Sequence, residues 1–114
     1  MQEVMDFEQA CARLETLSKL ETGWDSYGAE PPNEIALAMA RAFLKMKLPT
    51  VLNPSVVGGI GMTFRTEKSK DFVYVEFRNT GNIHAAFITG TNSIKVCEVI
   101  YFEDTVKDIE EFLE

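Results

Sequence analysis

Up to Pro54 the apolar residues of this chain recur every three or four positions; beyond it they recur every second position. This change of period constrains the fold most, because a period of 3.6 builds one-sided helices and a period of two builds half-buried strands. Before the change, Phe7, Ala10, Cys11, Leu14, Leu17 and Leu20 share one face of a helix expected over residues 4–20, closed by Thr22 and Gly23. A second helix is expected over 34–47, with Asn33 as its N-cap and Pro31 and Pro32 holding the approach extended. Its apolar stripe reads Ile35, Met39, Ala42, Phe43 and Met46, while Ala36 and Ala40 permit close approach of another element. Lys45 and Lys47 suit its C-terminal end, where the helix dipole favours cations. Pro49 and Pro54 bracket a linker.

Beyond the linker, alternation marks strands near 59–65, 71–78, 82–88 and 94–102, and "PSVV" at 54–57 adds a short edge strand. The polar turns between them, "EKSK", "NTGN" and "TGTN", are short, so neighbours in sequence pair antiparallel. The tail "DTVKDIEEFL" has Asp104 as N-cap and Val106, Ile109, Phe112 and Leu113 at helical spacing. The fold class is therefore α+β: two N-terminal helices packed on an antiparallel β-meander of four to five strands, with a short C-terminal helix. With 114 residues the chain is one domain, 1–114.

Alternation also assigns faces. Ile60, Met62, Phe64, Val73, Val75, Phe77, Ile83, Ala85 and Phe87 point to the helices; Thr63, Arg65, Tyr74, Glu76 and His84 point away. The last strand is apolar on both sides, with Ile94, Val96 and Ile100 on one and Cys97, Val99 and Tyr101 on the other. Such a strand calls for cover on both faces, from the closing helix or from a second copy in a homodimer.

Apolar residues make up 46% and charged residues 25% of the chain, which suits a globular protein. Eighteen acidic against eleven basic residues give a net charge of -7. That balance argues against direct contact with nucleic acid, whose phosphates need a basic surface, and favours a basic protein partner. The acids Glu103, Asp104, Asp108, Glu110 and Glu111 concentrate the negative field in the tail; such residues also serve solubility. The opening decapeptide has neither a basic nor an apolar targeting region, and no apolar run is long enough for a membrane, so a cytoplasmic location is expected. Cys11 and Cys97 are then expected as reduced, buried thiols.

Most signatures for catalysis are absent: there is no Walker loop, G-x-S-x-G, H-E-x-x-H or C-x-x-C. "GGIG" at 58–61 leads into a strand, so it presents no helix N-terminus to a phosphate. His84 is the single histidine. It reads as structural or exposed, or else as an acid–base group near Tyr74 and Glu76. Glu98 reads as solvated on an edge strand, or, if inward, as a site candidate with a raised pKa. No catalytic, cofactor-binding or metal-ligating residue is assigned.

One loop stands out, "ETGWDSYGAEPPN" at 21–33. As a corner, a largely buried Trp24 plugs the gap between the helices and the sheet, its indole N–H seeking an acceptor. Asp25 and Ser26 then form a turn on backbone N–H groups, Gly28 takes a conformation closed to other residues, and Tyr27 packs its ring while keeping its hydroxyl wet. As a binding site, Trp24, Asp25 and Tyr27 grip a ligand or partner. Gly23, Trp24, Asp25, Tyr27, Ala29 and Pro32, with the Ala-rich helix and "GGIGMTF" behind them, resemble a set of small bacterial and phage proteins with a G-W-[DN]-x-Y-x-A-x-x-P signature. The likeness covers residues 14–87 and leaves the tail unmatched. It implies a helix, a Gly-Gly strand entrance and a β-meander after the signature, and a microbial or viral setting, but no catalytic residues.

The function expected is a non-enzymatic, acidic binding module acting through protein–protein contacts. Its concrete form is a phage or mobile-element inhibitor of a nucleic-acid-binding defence enzyme, of anti-CRISPR type. The alternative is a small-ligand-binding protein using the Trp24 loop or the outer sheet face; a small enzyme is a third class. The candidate contacts are Trp24, Asp25, Tyr27, Tyr74, Glu76 and His84, and no cofactor is expected.

Overall fold

The computed structural model describes residues 4–68, 70–90 and 93–114, and within them lie three helices and five strands. Helix α1 spans Phe7–Leu17. Asp6 and Gln9 start it reciprocally: the Gln9 backbone N–H donates to Asp6 Oδ1 at 2.7 Å and the Asp6 N–H to Gln9 Oε1 at 3.0 Å. The helix runs from Phe7 to Leu17, shorter at both ends than the expected 4–20, and Lys19 and Leu20 close tighter turns onto Thr16 and Leu17. Ala10, Leu14 and Leu17 are buried, but Phe7, expected on that face, is exposed.

Helix α2 spans Glu34–Leu44, and Asn33 caps it by accepting from the Ala36 N–H at 3.0 Å. Its buried residues are Ala36, Leu37, Ala40, Phe43 and Leu44. The expected stripe is thus rotated: Ile35, Ala42 and Met46 are exposed. This Ala-rich helix is apolar almost all round, so its sequence pattern does not single out one burial face.

The bracketing prolines do not mark a linker, and the short edge strand expected at 54–57 is present but lies earlier, with residues 56–58 in a turn. Val51–Ser55 is strand β1, paired antiparallel with β2 (Gly59–Arg65) from Val51 opposite Thr63 to Ser55 opposite Gly59. Pro54 fits because β1 is an edge strand, where a missing N–H leaves no ladder bond open. Strands β3 (Phe72–Arg78), β4 (Ile83–Ile88) and β5 (Ile94–Glu98) complete a sheet of order β1-β2-β3-β4-β5, antiparallel throughout. The expected turns at 66–70 and 89–92 include residues 69, 91 and 92, which lie outside the described residues. β5 ends at Glu98, short of the expected 102. Helix α3 starts at Phe102, with Tyr101 rather than Asp104 at its N-cap position, and runs to Leu113. Asp104 and Glu103 instead occupy the first turn, where the dipole favours acids.

All three helices bury their apolar sides on one face of the sheet. Ile60, Met62, Val73, Val75 and Phe77 are fully buried there, with Phe64, Ile83, Ala85 and Phe87 almost so, as the alternation implied. Phe43 of α2 is the centre of this core: its ring packs edge-on against Phe64, Phe77 and Phe102 at 5.9, 5.5 and 5.2 Å. α3 lies on the same face, since Phe102 meets Phe77 and Phe112 meets Phe87. It does not cover the second side of β5, where Ile94 and Val96 are 64% and 61% exposed. Among the described residues no helix is long and apolar enough to cross a membrane.

Candidate interaction surface

Two clusters contain the six candidate residues. The first is the loop between α1 and α2. A single carboxylate oxygen organises its tip: Asp25 Oδ1 accepts from the backbone N–H of Tyr27 at 2.8 Å and of Ala29 at 3.0 Å. These two donors, Ala29 first, hold the Asp25 carboxyl below the usual carboxylate range. The Gly23 N–H donates to Ala29 O at 2.8 Å and the Ser26 N–H to Gly23 O at 2.8 Å, so the loop closes on itself. Ser26 and Gly28 both take positive φ, 69° and 85°, which a side chain tolerates poorly and Gly freely.

Trp24 finds its acceptor, with Nε1 donating to Glu30 O at 3.1 Å. It is half-buried, however, not the sealed plug expected of a corner. Tyr27 departs further: its ring does not pack down and is 91% exposed. The turn that satisfies Asp25 binds the backbone of position 27 and leaves its side chain in solvent.

Asn79, just past the end of β3, ties this loop to the sheet. Its Oδ1 accepts from the Asn33 N–H at 2.8 Å, its carbonyl accepts from Asn33 Nδ2 at 3.1 Å, and its Nδ2 donates to Pro31 O at 2.9 Å. Its own N–H donates to Gly58 O at 2.9 Å, which brings the β1–β2 turn alongside.

The second cluster lies on the open sheet face. Glu76 is its hub: Oε1 accepts from Arg78 Nε at 2.6 Å, and Oε2 from Ser55 Oγ at 3.0 Å and Tyr74 Oη at 3.4 Å. Tyr74 lies across Gly61, where any Cβ would overlap its phenol ring. Burial, and then the negative charge of Glu76, push the Tyr74 hydroxyl above its ordinary pKa. His84 stands opposite Glu76 on one side and Glu98 on the other. Its Nδ1 is buried with no hydrogen-bond partner. Glu98 itself is exposed, in agreement with the solvated reading.

The structure therefore unites Tyr74, Glu76 and His84 in one patch and Trp24, Asp25 and Tyr27 in another. No hydrogen bond joins the two among the described residues, although both adjoin the β1–β2 turn. Arg78 escaped the sequence reading although the spacing Tyr74, Glu76, Arg78 puts all three on one face. Ser55 and Asn79 gave no local signal, because their roles depend on pairings made across the sheet. Cys11 and Cys97 are free thiols, both half-buried. Among the described residues no group of three or more His, Cys, Asp or Glu side chains could hold a metal ion. Comparison of the chain with protein-family models, curated proteins and solved structures finds no match.

Proposed function

We propose that this chain is a non-enzymatic binding module whose loop end docks on a basic surface of another protein. The observation that carries the reading is Tyr27, 91% exposed at the tip of a loop already fixed by Asp25, Trp24 and Asn33. A large aromatic on an ordered backbone loses little freedom on docking, and Tyr is enriched at binding hot spots. Apolar neighbours broaden the surface. Val56 and Val57, 65% and 61% exposed, sit on the β1–β2 turn beside Glu30, and Ile35, 51% exposed, lies by the β3–β4 turn at Gly81. The charged residues between positions 20 and 40 are Glu21, Asp25, Glu30 and Glu34, all acidic, which supports a basic partner. In a phage or mobile-element setting, such a module would inhibit a nucleic-acid-binding defence enzyme by occupying its basic surface.

Affinity capture from the source cells, with wild type and Tyr27→Ala side by side, tests the reading. Wild type is expected to retain a discrete basic protein that Tyr27→Ala loses while its unfolding curve stays unchanged. The association rate should fall as salt rises, because the attraction is screened over about 8 Å at physiological ionic strength. Equal retention by both proteins removes the loop as the site, and a flat salt profile removes the basic partner.

A second reading, binding of a small ligand on the open face, rests on the unpartnered His84 Nδ1 beside the Glu76 hub. Native mass spectrometry of protein from the source cells should then show a bound small molecule that His84→Gln lacks.

A further inference from the structure

The two edges of the sheet are finished in opposite ways. On β1, Pro54 has no N–H to offer, and Arg13 of α1 covers the strand by donating from Nε to Leu52 O at 3.0 Å and from Nη2 to Asn53 Oδ1 at 3.2 Å. These are the usual means by which a sheet edge is closed to further strands. Among the described residues β5 has neither device. No strand lies beyond it among the described residues.

The phase of its ladder shows which backbone groups are free to pair. The Val99 N–H donates to Ile83 O and the Thr89 N–H to Ser93 O, each at 2.9 Å, and both pairs continue the β4–β5 register. Antiparallel pairs alternate between hydrogen-bonded and non-bonded. The odd-numbered residues of β5 therefore bond to β4, and Ile94, Val96 and Glu98 aim their N–H and C=O groups outward. Their side chains fall on the open face, where Val96 continues a row through Ala86 and Tyr74 to Thr63.

We propose that β5 pairs antiparallel with β5 of a second copy of this chain, about a twofold axis at Val96. Symmetry and the period of the pleat leave few registers. One centred on Lys95 sets two ammonium groups opposite each other, and one centred on Glu98 likewise sets two carboxylates. One centred on Cys97 brings only Val96 and Glu98 into bonded pairs within the strand. The register centred on Val96 engages all three outward residues: Val96 opposite Val96 of the partner subunit, and Ile94 opposite Glu98 of the partner subunit. It forms about six backbone hydrogen bonds and opposes no like charges. Lys95, which would otherwise guard the edge, points to the helix side, where it lines a groove with Asp108 and Glu111. The joined sheet has ten strands, with the exposed row from Tyr74 to Val96 running unbroken into its counterpart.

Sedimentation of the full chain under reducing conditions, from micromolar to submillimolar concentration, tests this pairing. Wild type is expected to pass from monomer to dimer. Val96→Lys, at a position 61% exposed, is expected to remain monomeric with unchanged thermal unfolding. A bonded antiparallel pair separates Cα atoms by about 5.5 Å, within disulfide reach. Val96→Cys in a Cys11→Ala, Cys97→Ala background should therefore form a covalent dimer on mild oxidation, faster than Lys107→Cys in the same background. Wild type that stays monomeric throughout, Val96→Lys that dimerises as wild type does, or equal cross-linking at positions 96 and 107 overturns the proposal. None of these measurements involves Tyr27 or a heterologous partner, so this pairing and the loop reading fail separately.

Discussion

Side chains on the two faces of the sheet are held in place by different forces. On the covered face, Ile60, Met62, Val75 and Phe77 are fully buried and pack in one core with Phe43 and its neighbours. On the open face, Tyr74, Glu76, Arg78 and His84 are half-buried, and the first three are held by polar contacts around one carboxylate. A deletion on the first face leaves a cavity that a packed interior cannot refill. A deletion on the second admits water, which replaces much of what was lost. The open face and the loop beside it can therefore present polar and aromatic groups to a partner at little cost to the fold.

Phe43→Ala tests the covered face and should be the most damaging single change. It should lose about 4 kcal/mol, because it empties the centre of an aromatic cluster that ties α2 and α3 to the sheet. Urea denaturation measures it, and a loss near 1 kcal/mol would show that the core can close around the gap. Trp24 stands between the two regimes. Half-buried, with its indole N–H bound to Glu30 O, it should cost about 2 kcal/mol on truncation to Ala, roughly half the value for a sealed aromatic. A loss as large as that of Phe43 would make the loop part of the core.

Glu76→Gln probes the open face. The carboxylate accepts from three side chains, so removing its charge should cost about 1 kcal/mol. A larger loss in the same urea titration would blur the distinction between the faces. The mildest change is confined to acid. The Asp25 carboxyl has a lower pKa folded than unfolded, so the unfolded chain binds the proton more readily. The stability this lends is present above the unfolded value, near 3.8, and is lost as the pH falls through the lower folded value. Asp25→Asn should flatten that part of the profile while leaving the rest unchanged, as followed by thermal unfolding between pH 2 and 6 (roughly the carboxylate range). An unchanged acid slope would place the titration elsewhere.

Much of the candidate site is legible in the sequence. The grouping of Tyr74, Glu76 and His84 follows from alternation, since a period of two sends every second side chain to one face whatever the partner strand. The Asp25 turn and the Asn33 cap follow from local chemistry, because short polar side chains reach backbone N–H groups within a few residues. The exposure of Tyr27 does not follow. An aromatic in a loop is buried or displayed according to how the loop sits on the rest of the fold, and that seating rests on Asn79, distant in sequence, which binds Pro31 and Asn33.

The same division runs through the fold. Local pattern alone dictates the order of the helices and of β2 to β5, their antiparallel meander and the two faces of β2, β3 and β4, because short turns and periodicity suffice for each. Packing across the molecule dictates which side of α2 is buried, that Val51–Ser55 is a strand despite Pro54, and that α3 joins the covered face and leaves the outer side of β5 open. The apolar pattern of α2 offers more than one burial face, and a short edge strand draws its ladder from a neighbour. The closing helix can pack wherever apolar surface remains. Those outcomes rest on contacts between residues far apart in the chain, to which no local pattern responds.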